Sequence, residues 1–140
     1  MSNNKSKKIV NESKEKLDKV CTINCKTENG NEKLNALFSK LMIKTFCYKE
    51  EEVEKMTTND LLNTLRKFSK KYKIHLSYVF FSVKIEEGLS GSLIDRNTSA
   101  YEMICTAYAE TLDELFKKLI LCIYFYVKEK QKKESLEWRR

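Results

Sequence analysis

Proline is absent from this chain of 140 residues, and glycine occurs three times. The chain therefore has no proline-rich linker and no glycine-rich loop of the kind that cradles phosphates. The P-loop, dinucleotide-binding and H-E-x-x-H patterns are also missing. We expect helices to cover much of the chain, and its length is that of one domain.

Long apolar runs and a secretory signal are lacking as well. The longest uninterrupted apolar run, Leu119 to Val127, is far shorter than the roughly 20 residues that a membrane helix needs. The five cysteines are an odd number, which favours free thiols in a reducing compartment. We therefore expect an intracellular, cytoplasmic protein without a membrane partner.

Metal-ligand pairs are sparse. Cys21 and Cys25 form a C-x3-C pair, and either is a candidate to join Cys47 and the single histidine, His75, in a zinc site. Structural zinc sites usually show two close ligand pairs, and this sequence has one. No C-x-x-C redox motif occurs. We predict no metal site and no cofactor.

Carboxylates are plentiful but are not paired for catalysis. Glu50 to Glu54 is typical of a solvated helix face, and Asp113 and Glu114 fit a helix cap. Asp95 and Arg96 follow two apolar residues and are the more interesting polar pair, but an ion pair that stabilises a turn explains them equally well. We predict no enzymatic activity and no small-molecule substrate.

The segment from Thr111 to Val127 predicts the central helix. Thr111 and Glu114 match the S/T-x-x-E capping box, in which hydroxyl and carboxylate each satisfy a backbone N–H at a helix start. Apolar residues then recur at helical spacing and form one broad face. We expect the β-branched and aromatic run from Ile74 to Ile85 to form a strand that covers it. The face comprises Leu112, Leu115, Phe116, Leu119, Ile120, Ile123, Tyr126 and Val127.

Two more helices are expected earlier in the chain. One starts at Asn31, after an Asn-Gly-Asn turn signal, and the other follows the N-cap candidates Thr57 to Asn59 and reaches Tyr72. Thr45 to Tyr48 is a candidate for a short strand.

A β-hairpin is expected between Ile74 and the last helix. The apolar phase shifts near Phe80, which indicates a bulge or burial on both faces. Glu86 to Ser92 holds two glycines and predicts the hairpin connection. The returning strand is expected from Ser99 to Ala107, with Tyr101, Met103 and Cys105 on one side, and Leu93 to Arg96 as a separate short strand or a turn.

These elements predict an α+β fold, in which a small antiparallel sheet packs against amphipathic helices and a long C-terminal helix. Two strands alone are marginal, so a third strand or a second copy of the chain, as in a homodimer, is expected to complete the sheet. Residues 1–30 are expected to be a mobile basic segment with a marginal helix, 31–130 the single domain and 131–140 a charged tail.

Positive charge gives the main functional candidate. Lys and Arg total 27 against 20 Asp and Glu, and the net charge of +7 attracts polyanions or acidic protein surfaces. Cations on the helix that ends at Tyr72 recur at helical spacing and match successive phosphates, and the tyrosine ring offers a stacking surface. The alternative is a solvated face balanced by Glu50 to Glu54. The predicted contacts are Arg66, Lys67, Lys70, Lys71, Lys73 and Tyr72.

The single tryptophan, Trp138, stands in a polar tail. A large apolar ring has little reason to be there unless it packs back or contacts a partner. We predict a partner contact.

The section from Ile74 to Val127 resembles the small α/β/α sandwich proteins that are common in bacteriophage genomes. In those proteins a short sheet leads into a closing helix with a similar Thr-led start, here AETLDELFKKLIL from Ala109 to Leu121. The resemblance implies a small accessory protein of a phage or mobile element, a class that includes inhibitors of host defence complexes. It carries over no functional residues.

Two functions from different classes follow. In the first, the chain is a non-enzymatic binding protein whose basic helix face engages nucleic acid or a nucleoprotein complex, for example as an inhibitor of a host defence complex. In the second, it is a structural or assembly module that associates with itself or with a host protein subunit. Salt separates the two, because phosphate contacts weaken steeply with salt and an apolar interface does not.

Overall fold

The structure, a computed structural model, describes residues 15–24, 27–82, 87–95 and 102–138. These residues form five helices and a three-stranded antiparallel sheet with the strand order β1-β2-β3. This architecture confirms the predicted α+β fold and its long last helix. The helices are α1 (residues 15–21), α2 (Glu28–Lys44), α3 (Glu50–Glu54), α4 (Thr58–Tyr72) and α5 (Leu112–Trp138), and the strands are β1 (Ile74–Ser82), β2 (Glu87–Asp95) and β3 (Glu102–Ala109).

Helix α5 is the centre of the molecule. Every residue from Leu115 to Ile123 except Lys117 is buried. Strands β2 and β3 cover one side of α5, and α2 and α4 pack on other sides. A helix that is apolar around its whole circumference is a buried helix, and this stretch of α5 fits that description. The sequence pattern predicted a single apolar face, so it understated how much of α5 is covered.

The prediction that the strand starting at Ile74 covers α5 is wrong. Strand β1 forms within the predicted run that starts at Ile74, but it packs against α4, whereas β2 and β3 pack against α5. The Gly91 backbone shows how close this approach is, because a Cβ built there would lie 2.9 Å from Leu119 Cδ1 and 3.4 Å from Leu115 Cδ1. Glycine inside a strand often marks such a close approach.

That approach explains why the hairpin connection was misplaced. The prediction put the connection at Glu86 to Ser92, but β2 runs from Glu87 to Asp95 and pairs with β1 from Ser82↔Glu87 to Ile74↔Asp95. Glycine and serine usually disfavour strands, yet Gly91 here keeps the sheet thin beneath α5. Leu93 to Asp95 is consequently the end of β2 and not a separate strand or turn; Arg96 lies outside the described residues.

The bulge lies in β3 and not in β1. No register shift interrupts the described β1–β2 pairs, so the bulge expected near Phe80 is absent from this pairing. Between β2 and β3 the register changes from Leu93↔Cys105 to Ile94↔Met103, which leaves Ile104 as the extra residue. The bulge turns Met103 outward, whereas Cys105 lies inward in regular alternation with Ala107, so the prediction that Met103 and Cys105 share one side is wrong. Tyr101 lies outside the described residues.

Two other local predictions change. Residues 45–48 form a turn, because Tyr48 N donates to Met42 O, and they form no strand. The Asn-Gly-Asn signal lies inside the first turn of α2, which Thr27 caps by accepting a hydrogen bond from Gly30 N. A Cβ at Gly30 would lie 1.9 Å from Asn24 O, so glycine serves a close backbone contact here and not a turn.

Both predicted helix caps are present. Thr57 and Asp60 form a complete capping box at α4. At α5, Glu114 N donates to Thr111 Oγ1 as predicted, but the Glu114 carboxylate accepts from Glu110 N. The two helix starts are joined, because Thr58 Oγ1 donates to Asp113 Oδ1 at 2.5 Å.

The N-terminal segment contributes to the core. Helix α1 buries Leu17 and Val20, two of the apolar positions of the predicted marginal helix, and Ile23 is buried just after it. Residues 1–14, with Ile9 and Val10, lie outside the described residues. The division at residues 30 and 130 stays a prediction; α5 continues beyond residue 130 as far as Trp138.

Candidate functional site

The predicted cations of α4 lie together on its outer side. The opposite side of α4 buries Leu61, Leu65 and Ser69 against the core. The capping box fixes the start of the helix, and Lys73 ends it in a left-handed conformation with φ 55°. Ser69 Oγ donates to Ile74 O and ties this end of α4 to β1. We call the exposed cations the basic face: Arg66, Lys67, Lys70, Lys71 and Lys73.

Acidic residues do not neutralise the basic face in the described part of the chain. Glu50 to Glu54 forms α3, and no ion pair joins these carboxylates to α4 among the described residues. Lys71 Nζ lies 5.4 Å from the centre of the Tyr72 ring, so this predicted stacking surface already contacts a cation within the protein. The side chain of Trp138 lies outside the described part of the chain.

A second cationic surface was not predicted. It is a cavity of about 410 Å³ between α1 and α2, above α5. Its apolar lining comes from all three helices and includes Tyr124 and Phe125. No Asp or Glu lines it among the described residues. We call it the lysine groove, after the exposed lysines around it: Lys16, Lys19, Lys33, Lys40 and Lys44.

Tyr124 is held in position in the lysine groove. Burial raises the pKa of its hydroxyl, but hydrogen bonds with Lys128 and Thr45 and the charges of Lys128 and Lys16 outweigh burial, so the pKa is lowered. Lys128 Nζ also lies 5.1 Å from the centre of the Tyr124 ring. The tyrosine ring therefore has a fixed place among positive charges.

Three cysteines from three separate elements meet beside α5. Cys21 of α1, Cys105 of β3 and Cys122 of α5 place their sulfur atoms within 4.8 Å of one another. The Cys21 and Cys122 sulfurs are 3.3 Å apart. Cys105 and Cys122 are buried, whereas Cys21 is half-buried. We call this group the thiol cluster.

The three thiols have very different acidities. Hydrogen bonds from Cys105 and Cys122, with a smaller effect of Lys118, lower the pKa of Cys21 despite burial. The hydrogen bond with Cys122 lowers the pKa of Cys105. The bond with Cys21, burial and the Cys21 charge raise it by more, so the pKa of Cys105 is raised overall. Hydrogen bonds with Cys105 and Cys21, together with burial, raise the pKa of Cys122. The contacts within the cluster therefore favour the thiolate form of Cys21 and disfavour that of Cys105 and Cys122.

A buried lysine lies next to this cluster. Lys118 is 1% exposed, and its ammonium donates to Ile23 O at 2.6 Å and to Tyr108 O at 2.7 Å. A buried charge is costly unless it is hydrogen-bonded, and these carbonyls meet that need. Lys118 thus joins α5 to β3 and to the segment after α1.

The predicted partner of Asp95 is Arg96, and the structure shows two further partners. It is fully buried at the end of β2, and it accepts hydrogen bonds from the Tyr126 hydroxyl and, at 3.3 Å, from Lys130 Nζ. Both partners come from α5. The carboxylate therefore joins the sheet to α5, and the pairing with Arg96 stays outside the described residues.

The four candidate zinc ligands are only partly described by the structure. Cys47 is exposed with φ 59°, Cys25 lies outside the described residues, and the side chain of His75 is not described. Cys21 instead joins two cysteines that lie far away in sequence. No spacing rule links residues 21, 105 and 122; the only signal was that Cys105 and Cys122 stand in apolar surroundings.

The chain matches no family model, no curated protein and no solved structure with which it was compared. Among the described helices, none has the length and apolar character needed to cross a membrane.

Proposed function

We propose that the protein is a non-enzymatic binding protein for nucleic acid, either free or within a nucleoprotein complex, and that it contacts phosphates through the lysine groove and the basic face. The main support is the lysine groove itself. Five lysines from α1 and α2 surround an apolar cavity that holds two aromatic rings, without a carboxylate among its described lining.

Electrostatics favour a polyanion at the groove. Lysines from two facing helices repel one another, and a chain of phosphates between them replaces this repulsion by attraction. Each neutralised phosphate also releases condensed counterions, which drives binding at low salt. Rigid caps at α2 and α4 hold the cations of both surfaces at fixed spacings.

The aromatic rings favour a single strand. Proteins that bind single strands combine a positive groove with aromatic side chains on which bases stack. Phe125 and Tyr124 are half-buried in the cavity lining and so present part of their rings, and Lys128 already contacts the Tyr124 ring, as Lys71 does that of Tyr72. The basic face supplies a second set of phosphate contacts, in agreement with its charge but without a comparable cavity. A protein that inhibits a nucleoprotein complex would use the same surfaces.

The test is fluorescence anisotropy with labelled single-stranded DNA and RNA over a range of salt concentrations. The groove variant is Lys33→Glu/Lys40→Glu/Lys44→Glu. Its control is Lys49→Glu/Lys55→Glu/Lys132→Glu, which makes the same charge change at exposed lysines outside both surfaces. We expect the groove variant to lose at least about tenfold in affinity and to show a shallower salt dependence, and the control to lose much less.

The basic face is tested in the same assay by Arg66→Glu/Lys67→Glu/Lys70→Glu/Lys71→Glu. An affinity loss smaller than that of the groove variant is expected. If both folded variants bind as tightly as the control, nucleic-acid binding through these surfaces is wrong.

An assembly module is the second candidate, and one observation favours it. Met103 and Tyr108 on β3 are 60% and 58% exposed, and β3 is at one edge of the described sheet. Exposed apolar side chains on an edge strand suit pairing with another chain. Sedimentation at low and high salt separates the candidates, because an apolar self-association persists at high salt.

A further inference from the structure

We propose that the thiol cluster binds a single thiophilic metal ion, and that Cu(I) fits it best. The site consists of Cys21, Cys105 and Cys122. It is separate from the lysine groove and the basic face, and it does not depend on nucleic-acid binding.

The sulfur positions suit one ion. A metal with bonds of about 2.3 Å to three thiolates places the sulfurs about 4 Å apart. All three sulfurs already lie within 4.8 Å of one another, and the Cys21 and Cys122 sulfurs at 3.3 Å need to separate only slightly. The backbone can therefore stay as it is, with side-chain adjustments of a few tenths of an ångström.

The number and type of ligands select the ion. Structural zinc is almost always held by four protein ligands, and among the described His, Cys, Asp and Glu residues no fourth joins this cluster. Lys118 is an ammonium that donates to two carbonyls, so it offers no lone pair. Soft thiolates bind both Cu(I) and zinc, but Cu(I) accepts fewer ligands than zinc. A three-sulfur site with no fourth ligand among the described residues therefore suits Cu(I).

The surroundings suit a cation held by thiolates. Metal ligands must lose their protons, so an incoming ion displaces protons from the cluster. Lys118 partly balances the negative charge of the loaded site. Cys21 is half-buried, whereas the other two sulfurs are buried, so the ion reaches the cluster past Cys21.

The experiment is an anaerobic titration of the reduced protein with Cu(I) against a chromophoric Cu(I) chelator. It is done with the wild-type chain and with Cys25→Ser/Cys47→Ser, which keeps only the thiol cluster. We expect one equivalent per chain in both, with equal affinity. Affinity should rise with pH, because binding releases protons.

The decisive variants are Cys21→Ser and Cys122→Ala, each compared with Cys47→Ser. Cys21→Ser changes a half-buried thiol and should leave the protein folded. We expect it to lower Cu(I) affinity at least tenfold and to abolish the rise in melting temperature that Cu(I) causes in the wild type. Cys47→Ser should match the wild type in both measurements.

Three results would overturn the proposal. They are the absence of chelator-resistant Cu(I) in the wild type, unchanged affinity in the folded Cys21→Ser protein, and loss of binding in Cys47→Ser to the same degree. A parallel titration with Zn(II) alone checks the ion. Tighter binding of Zn(II) than of Cu(I) would overturn the assignment to Cu(I).

Discussion

Helices α4 and α5 both carry lysine, and they use it in opposite ways. On α4 the cations are exposed on one side, and the apolar residues are buried on the other. On α5, Lys118 is buried among apolar residues and donates to two backbone carbonyls. The same residue type is a surface charge in one helix and an internal tie in the other. Neighbouring elements, and not residue identity, decide which role it takes.

The largest expected difference between the two helices concerns an added carboxylate. Leu119→Asp buries an unpaired charge in α5, where Leu119 is fully buried, and should cost about 5 kcal/mol or more, enough to prevent folding. Lys67→Asp on the basic face should change the free energy of unfolding by less than about 1 kcal/mol. Urea denaturation followed by circular dichroism measures both. A Leu119→Asp protein that melts cooperatively near the wild type would show that α5 is not the core helix.

A smaller effect is expected from removing the buried ammonium. Lys118→Met removes the donor from Ile23 O and Tyr108 O, and we expect a loss of about 2 kcal/mol in the free energy of unfolding. Lys117→Met is the control, because Lys117 bonds an exposed Asn35 and should cost less than about 0.5 kcal/mol.

Lys118→Met should also raise the pKa of Cys21, because the lysine charge lowers it. Alkylation of Cys21 requires the thiolate, so its rate falls as the pH is lowered through the pKa. In Lys118→Met this fall should occur at a higher pH than in the wild type, as mapped by peptide mass spectrometry. An unchanged pH profile together with unchanged stability would show that the buried charge has no structural role.

The smallest expected effect on stability comes from adding a methyl group where α5 contacts the sheet. Gly91→Ala places a Cβ 2.9 Å from Leu119 Cδ1, and overpacking should exceed the entropic gain, for a net loss of about 1 kcal/mol. Gly88→Ala meets only Ala109 O at 3.5 Å and should be neutral or slightly stabilising. Thermal melting should show a lower melting temperature for Gly91→Ala and an unchanged or slightly higher one for Gly88→Ala. Equal effects would mean that α5 does not lie so close to β2.

Helix α4 illustrates what could be predicted from sequence. Its cap, its periodic apolar residues and its exposed cations are all local signals, and each agrees with the structure. The start of α5 and the position of β1 were predicted for the same reason. Local propensity and tertiary packing point the same way in these segments.

The remaining features depend on contacts between distant residues. Gly91 and its serine neighbours were interpreted as a turn because their propensity disfavours strands, and the close approach of α5 overrides it. The role of Lys118 could not be predicted, because its two carbonyl acceptors lie in other elements. The lysine groove forms only when α1 packs on α2 and α5, and no local pattern in the sequence of α1 predicts that packing.

The central position of α5 has a consequence for synthesis. Sheet, α2, α4 and α1 all pack onto a helix that follows them in the chain. Ribosomes release these earlier segments first, at a pace far slower than helix formation. Their apolar sides therefore have no lasting cover until α5 emerges. The nascent chain is exposed to chaperones and aggregation during this interval, which ends only when α5 has emerged.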